Sequence, residues 1–180
     1  MKSLYTPMFD QLHQSISRHA DLSDEEWEQC KNSFIPKKLR KRMFLLQQGD
    51  ICTRLAYIEK GALFSYSTDE KGNQHVMQFG FEGWWIADLY SFLTNEESKL
   101  TIEVLEDCEL LMIDRSKHDE LLETSPAYNT YQRTLFQNAF VALQRRMDDT
   151  LGLPAEEKYT RFLKHYPFCL ERVPQHLIAS

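Results

Sequence analysis

Two adjacent tryptophans, Trp84 and Trp85, are the side chains of this sequence best placed to hold a planar ligand. They stand directly before residues 86–93, whose pattern predicts one or two helical turns inserted between strands. Flat indole rings can stack on such a ligand. The same pair can also pack between a sheet and a helix, and this is the more common arrangement. The sequence leaves both interpretations open, with Trp85 as the candidate ligand contact.

Metal chemistry and nucleophilic catalysis have little support. His75 is the only histidine between residues 34 and 114. A metal-dependent oxygenase of the cupin type would need a cluster such as His-x-His with a nearby Glu on adjacent strands. Neither that cluster nor a P-loop or nucleophile motif is present in the sequence. We therefore expect no enzymatic activity, no bound metal and no resident cofactor.

The bulk composition is that of an ordinary soluble domain, with 42% hydrophobic and 27% charged residues. The net charge of −6 does not favour nucleic-acid binding over the whole surface. Neither a membrane-spanning apolar run nor a signal-peptide pattern is present, which predicts a cytoplasmic protein with no membrane partner. The four cysteines are widely separated, which predicts free thiols: Cys30, Cys52, Cys108 and Cys169.

One strongly basic run, residues 37–42, carries five positive charges in six residues. Such a run could contact phosphates. An exposed strand whose charges block edge-to-edge pairing gives the same pattern. We favour the exposed strand.

Glycine spacing predicts the central fold. Five of the six glycines lie between Gly49 and Gly83, each next to a short apolar run. Glycine is used where the backbone needs a positive φ or a close approach, and strands broken by such turns at about ten-residue intervals indicate a rolled antiparallel sheet. The predicted strands are residues 42–46, 55–59, 62–68, 74–79, 101–104 and 108–113. A rolled sheet has an interior that can hold a small ligand.

Helices flank this sheet. The first predicted helix has one apolar stripe, formed by Leu4, Met8, Leu12 and Ile16. Ser23 and Glu26 form a capping box that predicts a second helix to about residue 32. A third, short helix from Ser116 to Glu123 follows the sheet, with Ser116 and Asp119 as its capping signature.

A long helix begins with Pro126 at its first position and ends near Gly152 and Pro154. It would reach about 39 Å, longer than a small domain needs to cover its own sheet. Long helices with one apolar seam commonly pair with a copy of themselves. We therefore predict a homodimer whose seam contains Tyr131, Leu135, Ala139 and Leu143. The alternative is that this helix only covers the roll.

The order of these elements resembles the catabolite-activator (Crp/Fnr) family of bacterial transcription regulators. The glycine pattern and residues 79–83, Phe-Gly-Phe-Glu-Gly, correspond to the cyclic-nucleotide-binding-like roll. After a further helix from residue 155 to about 166 and a loop over 167–173, residues 174–179, Pro-Gln-His-Leu-Ile-Ala, resemble the first helix of the family's winged helix-turn-helix. The resemblance implies DNA contact near Gln175 and His176.

The family's phosphate-binding cassette departs from its pattern here. In nucleotide-binding members Gly-Glu-Leu opens the inserted helix and an Arg-Ser pair follows about ten residues later. Ala87-Asp88-Leu89 and then Ser98-Lys99 occupy those places here. We predict that the ligand pocket contains three of these residues together with the stacking candidate: Trp85, Asp88, Ser98 and Lys99. An anionic phosphate prefers a bidentate guanidinium, which Lys99 does not provide, so cyclic AMP is disfavoured, and we expect either an unknown small-molecule effector or no ligand.

Together these features predict an α+β protein: an antiparallel β-roll (a double-stranded jelly roll) with N-terminal helices, a long dimerisation helix and the start of a winged helix-turn-helix. The predicted domains are 1–125 for sensing, 126–152 for dimerisation and 153–180 for the beginning of the DNA-binding domain, which the sequence holds incompletely. The predicted function is the sensory and dimerisation portion of a transcription regulator. The alternative is a stand-alone ligand-binding or protein-interaction module of the same fold with no DNA role.

Overall fold

The computed structural model describes residues 8–152 and 154–178. The chain forms two compact units, residues 1–132 and 133–180, which are described separately. In the first unit six strands form one antiparallel sheet: β1 (Ile35–Leu39), β2 (Phe44–Leu46), β3 (Arg54–Thr68), β4 (Gln74–Gly80), β5 (Trp85–Ile86) and β6 (Thr101–Asp114). The strand order is β1-β6-β3-β4, with β2 paired to β6 and β5 paired to β3. The predicted antiparallel fold is confirmed.

Four predicted strands are in fact two long ones. Residues 55–59 and 62–68 both belong to β3, and 101–104 and 108–113 both belong to β6, with register shifts where the two strands bend against each other. Gly61 lies at this bend with φ of 95°, and a Cβ there would lie 2.4 Å from the carbonyl oxygen of Asp107. Only glycine allows the two strands to approach this closely. The favoured interpretation of the basic run is confirmed in part, because residues 35–39 form the exposed strand β1.

The helices of the first unit pack on the sheet. They are α1 (Asp10–Ser17), α2 (Asp24–Ser33), α3 (Leu89–Thr94), α4 (Arg115–Thr124) and the beginning of α5 (Pro126–Gly152). Leu12 and Ile16 of α1 are fully buried, as their stripe predicted, whereas Leu4 lies outside the described residues. The Ser23–Glu26 capping box is confirmed. The predicted cap of α4 is wrong, because the helix begins at Arg115 with no side-chain cap.

The second unit contains the remainder of α5 and three further helices: α6 (Ala155–His165), α7 (Cys169–Arg172) and α8 (Gln175–Ile178). The predicted loop over 167–173 therefore includes a short helix. Three apolar residues of this segment are buried: Cys169, Val173 and Leu177. Within the described ranges, no helix has both the length and the apolar content needed to cross a bilayer.

A buried carboxylate attaches α1 to the sheet. Glu59 of β3 accepts hydrogen bonds from the backbone N–H of Leu12 at 2.9 Å and of Gln11 at 3.2 Å. It thereby caps a helix whose own N-cap residue, Phe9, makes no side-chain cap. Burial raises the pKa of Glu59 to about 7, against the lowering effect of these two hydrogen bonds and with smaller contributions from Asp10 and Glu109. The folded protein therefore binds a proton here that the unfolded chain releases near pH 4.5.

We predict that Glu59 makes the fold more stable as the pH falls from 8 to 5, because its pKa is higher in the folded state than in the unfolded state. The measurement is the free energy of urea unfolding of the native chain and of Glu59→Gln across this range. The difference between the two proteins should widen in favour of the native chain toward pH 5. His118, whose pKa burial lowers, titrates in both proteins and cancels in the comparison. Parallel pH profiles would contradict the prediction.

Candidate functional site

The two residues of β5 face opposite sides of the sheet, because successive strand residues alternate. Ile86 is in register with Ala56 of β3, which in turn is in register with Met112 of β6, so these three lie on the interior face of the roll. Trp85 is in register with Tyr57 and lies on the other face. We call this second face the helix-facing side, since Tyr57 Oη is 2.7 Å from Ser15 Oγ of α1. The strand thus has one residue on the roll interior and one on the side that contacts the helices.

Trp85 contacts the long helix. Its indole Nε1–H donates to the Tyr131 hydroxyl of α5 at 2.9 Å, and its ring packs against Tyr57 and Phe34 at centroid distances of 5.4 and 6.0 Å. Burial raises the pKa of Tyr131 to about 12, so its hydroxyl stays neutral and can accept this bond. This is the packing alternative noted from the sequence. The assignment of Trp85 to a ligand contact is not supported by its position on the helix-facing side.

Asp88 and Ser98 do come together. Asp88 is the N-cap of α3 and accepts from the backbone N–H of Ser91 at 3.2 Å, while its second oxygen accepts from the Ser98 hydroxyl at 2.7 Å. Both residues are buried, at 5% and 2% exposure. The Ser98 backbone also forms two hydrogen bonds of 2.8 Å. Its carbonyl oxygen accepts from the N–H of Gly49, and its N–H donates to the carbonyl oxygen of Asp50. Two of the four predicted ligand contacts are thus hydrogen-bonded to each other.

Positive charge lies outside this cluster. Lys99, the fourth predicted contact, is exposed and does not join Asp88 and Ser98. The Arg115 guanidinium is also nearby in the fold, but it donates to the carbonyl oxygens of Phe92 and Leu93 at 3.0 and 2.9 Å, where it caps the C-terminal end of α3. Among the described residues, no ion pair joins Asp88 to a basic side chain.

A cyclic nucleotide, the ligand that this fold implies, does not fit these residues. A buried phosphate needs a bidentate cation and unoccupied donors. Here the Ser98 hydroxyl is committed to the Asp88 carboxylate, and that carboxylate would repel a phosphate placed beside it. The hydrogen bond between Asp88 and Ser98 thus occupies the place where an anion would have to bind.

The structure buries one end of the predicted dimer seam and leaves the other end exposed. Tyr131 is buried at 2% exposure against its own sheet, so it is not available to a second chain, and its place in the seam is corrected. Leu135 is half-buried, and Ala139 and Leu143 are exposed. From residue 136 to residue 148 every residue of α5 is exposed, including four large apolar side chains in steps of four, three and four: Phe136, Phe140, Leu143 and Met147.

The predicted DNA contacts, Gln175 and His176, are exposed at the beginning of α8, with Leu177 buried beneath them. Their role stays a prediction. Among the described residues, no group of three or more His, Cys, Asp or Glu side chains is placed to hold a metal ion. All four cysteines are buried free thiols.

Several residues of the site gave no signal in the sequence. Ser91 accepts from the backbone N–H of Cys52 at 2.9 Å and donates to the carbonyl of Glu96 at 2.6 Å, which ties α3 to the segment before β3. Arg115 is placed by the end of β6 and the start of α4. These contacts depend on how distant segments meet, which spacing along the chain does not reveal.

The sequence model of the cyclic nucleotide-binding domain matches residues 36–125, which is half of the chain. The chain belongs to this domain family. The match runs from β1 to the end of α4 and includes the whole cassette.

Relatives and solved structures agree with this membership. The chain is 26% identical over 89 residues to the cAMP-activated global transcriptional regulator CRP of Salmonella typhimurium, a match that covers 49% of this chain and 42% of that protein. The matched part is thus less than half the length of the curated relatives. The catabolite activator protein of Thermus thermophilus has a TM-score of 0.62 at 18% identity, with 94% of this chain and 73% of that chain covered. A cyclic nucleotide-binding domain of Methylobacillus flagellatus has a TM-score of 0.66 at 15% identity, with 79% and 81% covered.

The predicted resemblance to Crp/Fnr regulators and the jelly-roll fold are therefore confirmed. The two solved structures support the fold alone.

We predict that Ser98→Ala lowers the free energy of unfolding by about 1–3 kcal/mol, because it leaves a buried carboxylate without its hydroxyl partner. The loss should shrink when Asp88→Asn is already present, since a neutral amide is less costly to leave unpaired. Ser116→Ala, at an exposed serine of α4, is the matched control and should change stability by less than about 0.5 kcal/mol. Urea unfolding of the native chain, the three single variants and the Asp88→Asn/Ser98→Ala double variant measures these differences, and a Ser98→Ala protein as stable as the control would contradict the account.

Proposed function

We propose that this chain is the sensory and dimerisation part of a Crp/Fnr-type transcription regulator that responds to an effector other than a cyclic nucleotide. In this proposal it is cytoplasmic, has no catalytic activity and acts as a homodimer. DNA binding would use a C-terminal helix-turn-helix to which residues 153–180 belong, with Gln175 and His176 at its first helix.

The exposed half of α5 is the observation that carries the proposal. A helix that is exposed on all sides and carries an apolar stripe is seldom stable in water without a partner. The stripe formed by Phe136, Phe140, Leu143 and Met147 covers about three turns of the helix. A second copy of the same helix would bury it, and a two-fold symmetric pair uses the same surface on both chains.

The contact between Trp85 and Tyr131 provides a route from the roll to this helix. An effector that binds the roll differently in two states would change how β5 holds the start of α5. In a dimer, a change at the start of both long helices would then alter the relative orientation of two DNA-binding domains. Their recognition helices must match half-sites about one turn of DNA apart.

We predict that Phe140→Glu prevents dimerisation. Each dimer would lose two buried phenyl rings, and burial of one is worth about 1.5–3 kcal/mol, so the dimer dissociation constant should rise by about 100-fold or more. Asn138→Glu adds the same charge to the same helix, on nearly the opposite side, and should leave the dissociation constant almost unchanged. Sedimentation equilibrium measures both. A native chain that is monomeric at micromolar concentration would contradict the dimer proposal.

The alternative, a ligand-binding or protein-interaction module without a DNA role, shares every feature of the first unit. A DNA-binding experiment with the full native gene product separates the two. Selection of bound sequences from a random DNA pool should enrich a two-fold symmetric site if the protein is a regulator. Failure to enrich any sequence, with the dimer intact, would favour the module.

A further inference from the structure

The interior of the roll contains a cavity of about 400 Å³, within the range of small-molecule pockets. Four of its lining side chains are at most 9% exposed and aliphatic: Leu46, Ile86, Ile102 and Met112. They come from β2, β5 and β6, so the cavity belongs to the sheet and not to the closed cassette. Its floor suits an aliphatic group, since it has no aromatic ring on which a base could stack.

The rim of the cavity is charged. Lys37 of β1 and Arg54 at the start of β3 line it, together with Asp50. Arg54 uses its Nε–H to bind Asp114 at 2.7 Å, which fixes the guanidinium at the rim. Asp114 offsets the charge of Arg54, but this bond uses only the Nε–H, so the terminal amino groups of the guanidinium and the Lys37 ammonium can donate to a carboxylate head group.

We propose that this cavity binds a small monocarboxylate with an aliphatic tail, the tail on the apolar floor and the carboxylate at Lys37 and Arg54. The site is distinct from the one assigned from the sequence, since only Ala87 of the Ala-Asp-Leu segment lines it. That the bound molecule acts as the effector rests on the proposed function, whereas its binding does not.

The position of the cavity explains how binding would reach the long helix. Ile86 lines the cavity, and its neighbour Trp85 donates to Tyr131 of α5 from the other face of the same strand. Cys52 also lines the cavity, and its backbone N–H donates to Ser91 of α3. A tail that moves β5 by a fraction of an ångström would therefore alter the geometry of the hydrogen bond to α5.

The test uses octanoate as the probe and octylammonium as its control, because the two share a tail and differ in the sign of the head group. Isothermal titration calorimetry measures affinity, and the ¹³C-methyl signal of Met112 reports where the tail lies. Octanoate should bind saturably and shift the Met112 signal, and octylammonium should bind at least about tenfold more weakly, a difference of about 1.4 kcal/mol.

Two variants locate the site. Lys37→Ala should weaken octanoate binding by about three- to tenfold, as expected for a partly exposed ion pair, whereas Lys71→Ala, at an exposed lysine of the β3–β4 hairpin, should not. Ala87→Leu places bulk at a half-exposed wall of the cavity and should abolish binding while the circular dichroism spectrum stays native.

The outcomes separate the two proposals. Absence of saturable octanoate binding, equal binding of octylammonium, or normal binding by Ala87→Leu would overturn the cavity proposal. Octanoate binding that meets all three expectations would support the cavity proposal. If that same protein neither dimerises nor selects DNA, the regulator proposal is overturned instead.

Discussion

The two-residue strand β5 is the constraint on which the functional account depends. Because strand residues alternate between faces, Ile86 must face the roll interior when Trp85 faces the helices. The hydrogen bond from Trp85 to Tyr131 then ties the start of α5 to the sheet. Because the strand has only two residues, a displacement of Ile86 also displaces Trp85. The roll and the helix are therefore mechanically connected through this strand.

The cassette shows how the family's architecture can be held by hydrogen bonds within the protein. An aspartate caps α3, and a serine ten residues later closes on it, so the backbone of the cassette is held without an anion. Arg115 stabilises the other end of α3 from outside. In a nucleotide-binding site the phosphate itself would contribute to this order. Here the protein supplies those contacts from its own side chains.

The sequence predicted the parts of this structure that depend on local chemistry. The glycine turns, the Ser23–Glu26 capping box and Pro126 at the start of α5 each follow from short-range backbone requirements. Long-range contacts were not predictable, and Glu59 is the clearest case, because it caps a helix 47 residues away. The sequence also paired Asp88 with Ser98 only through the family resemblance, and it gave no sign that they bind each other.

The seam illustrates a different error. Steps of four residues advance by about 40° beyond a full helical turn, so the predicted stripe from Tyr131 to Leu143 winds around α5. It begins at Tyr131, where the first unit still covers the helix, and ends at Leu143, where every residue of the helix is exposed. The stripe of mixed steps from Phe136 to Met147 lies wholly in this exposed part and stays on one side of the helix.

The bond between Trp85 and Tyr131 can be tested without changing the shape of either side chain. Tyr131→Phe removes only the hydroxyl that accepts the indole N–H. Hydrogen exchange of the backbone amides of residues 126–132 is the direct measurement. The account predicts exchange faster by about five- to tenfold in the variant, as expected for loss of one hydrogen bond worth about 1 kcal/mol, with the central residues of β3 unchanged. Equal exchange of residues 126–132 in the two proteins would contradict a mechanical connection through β5.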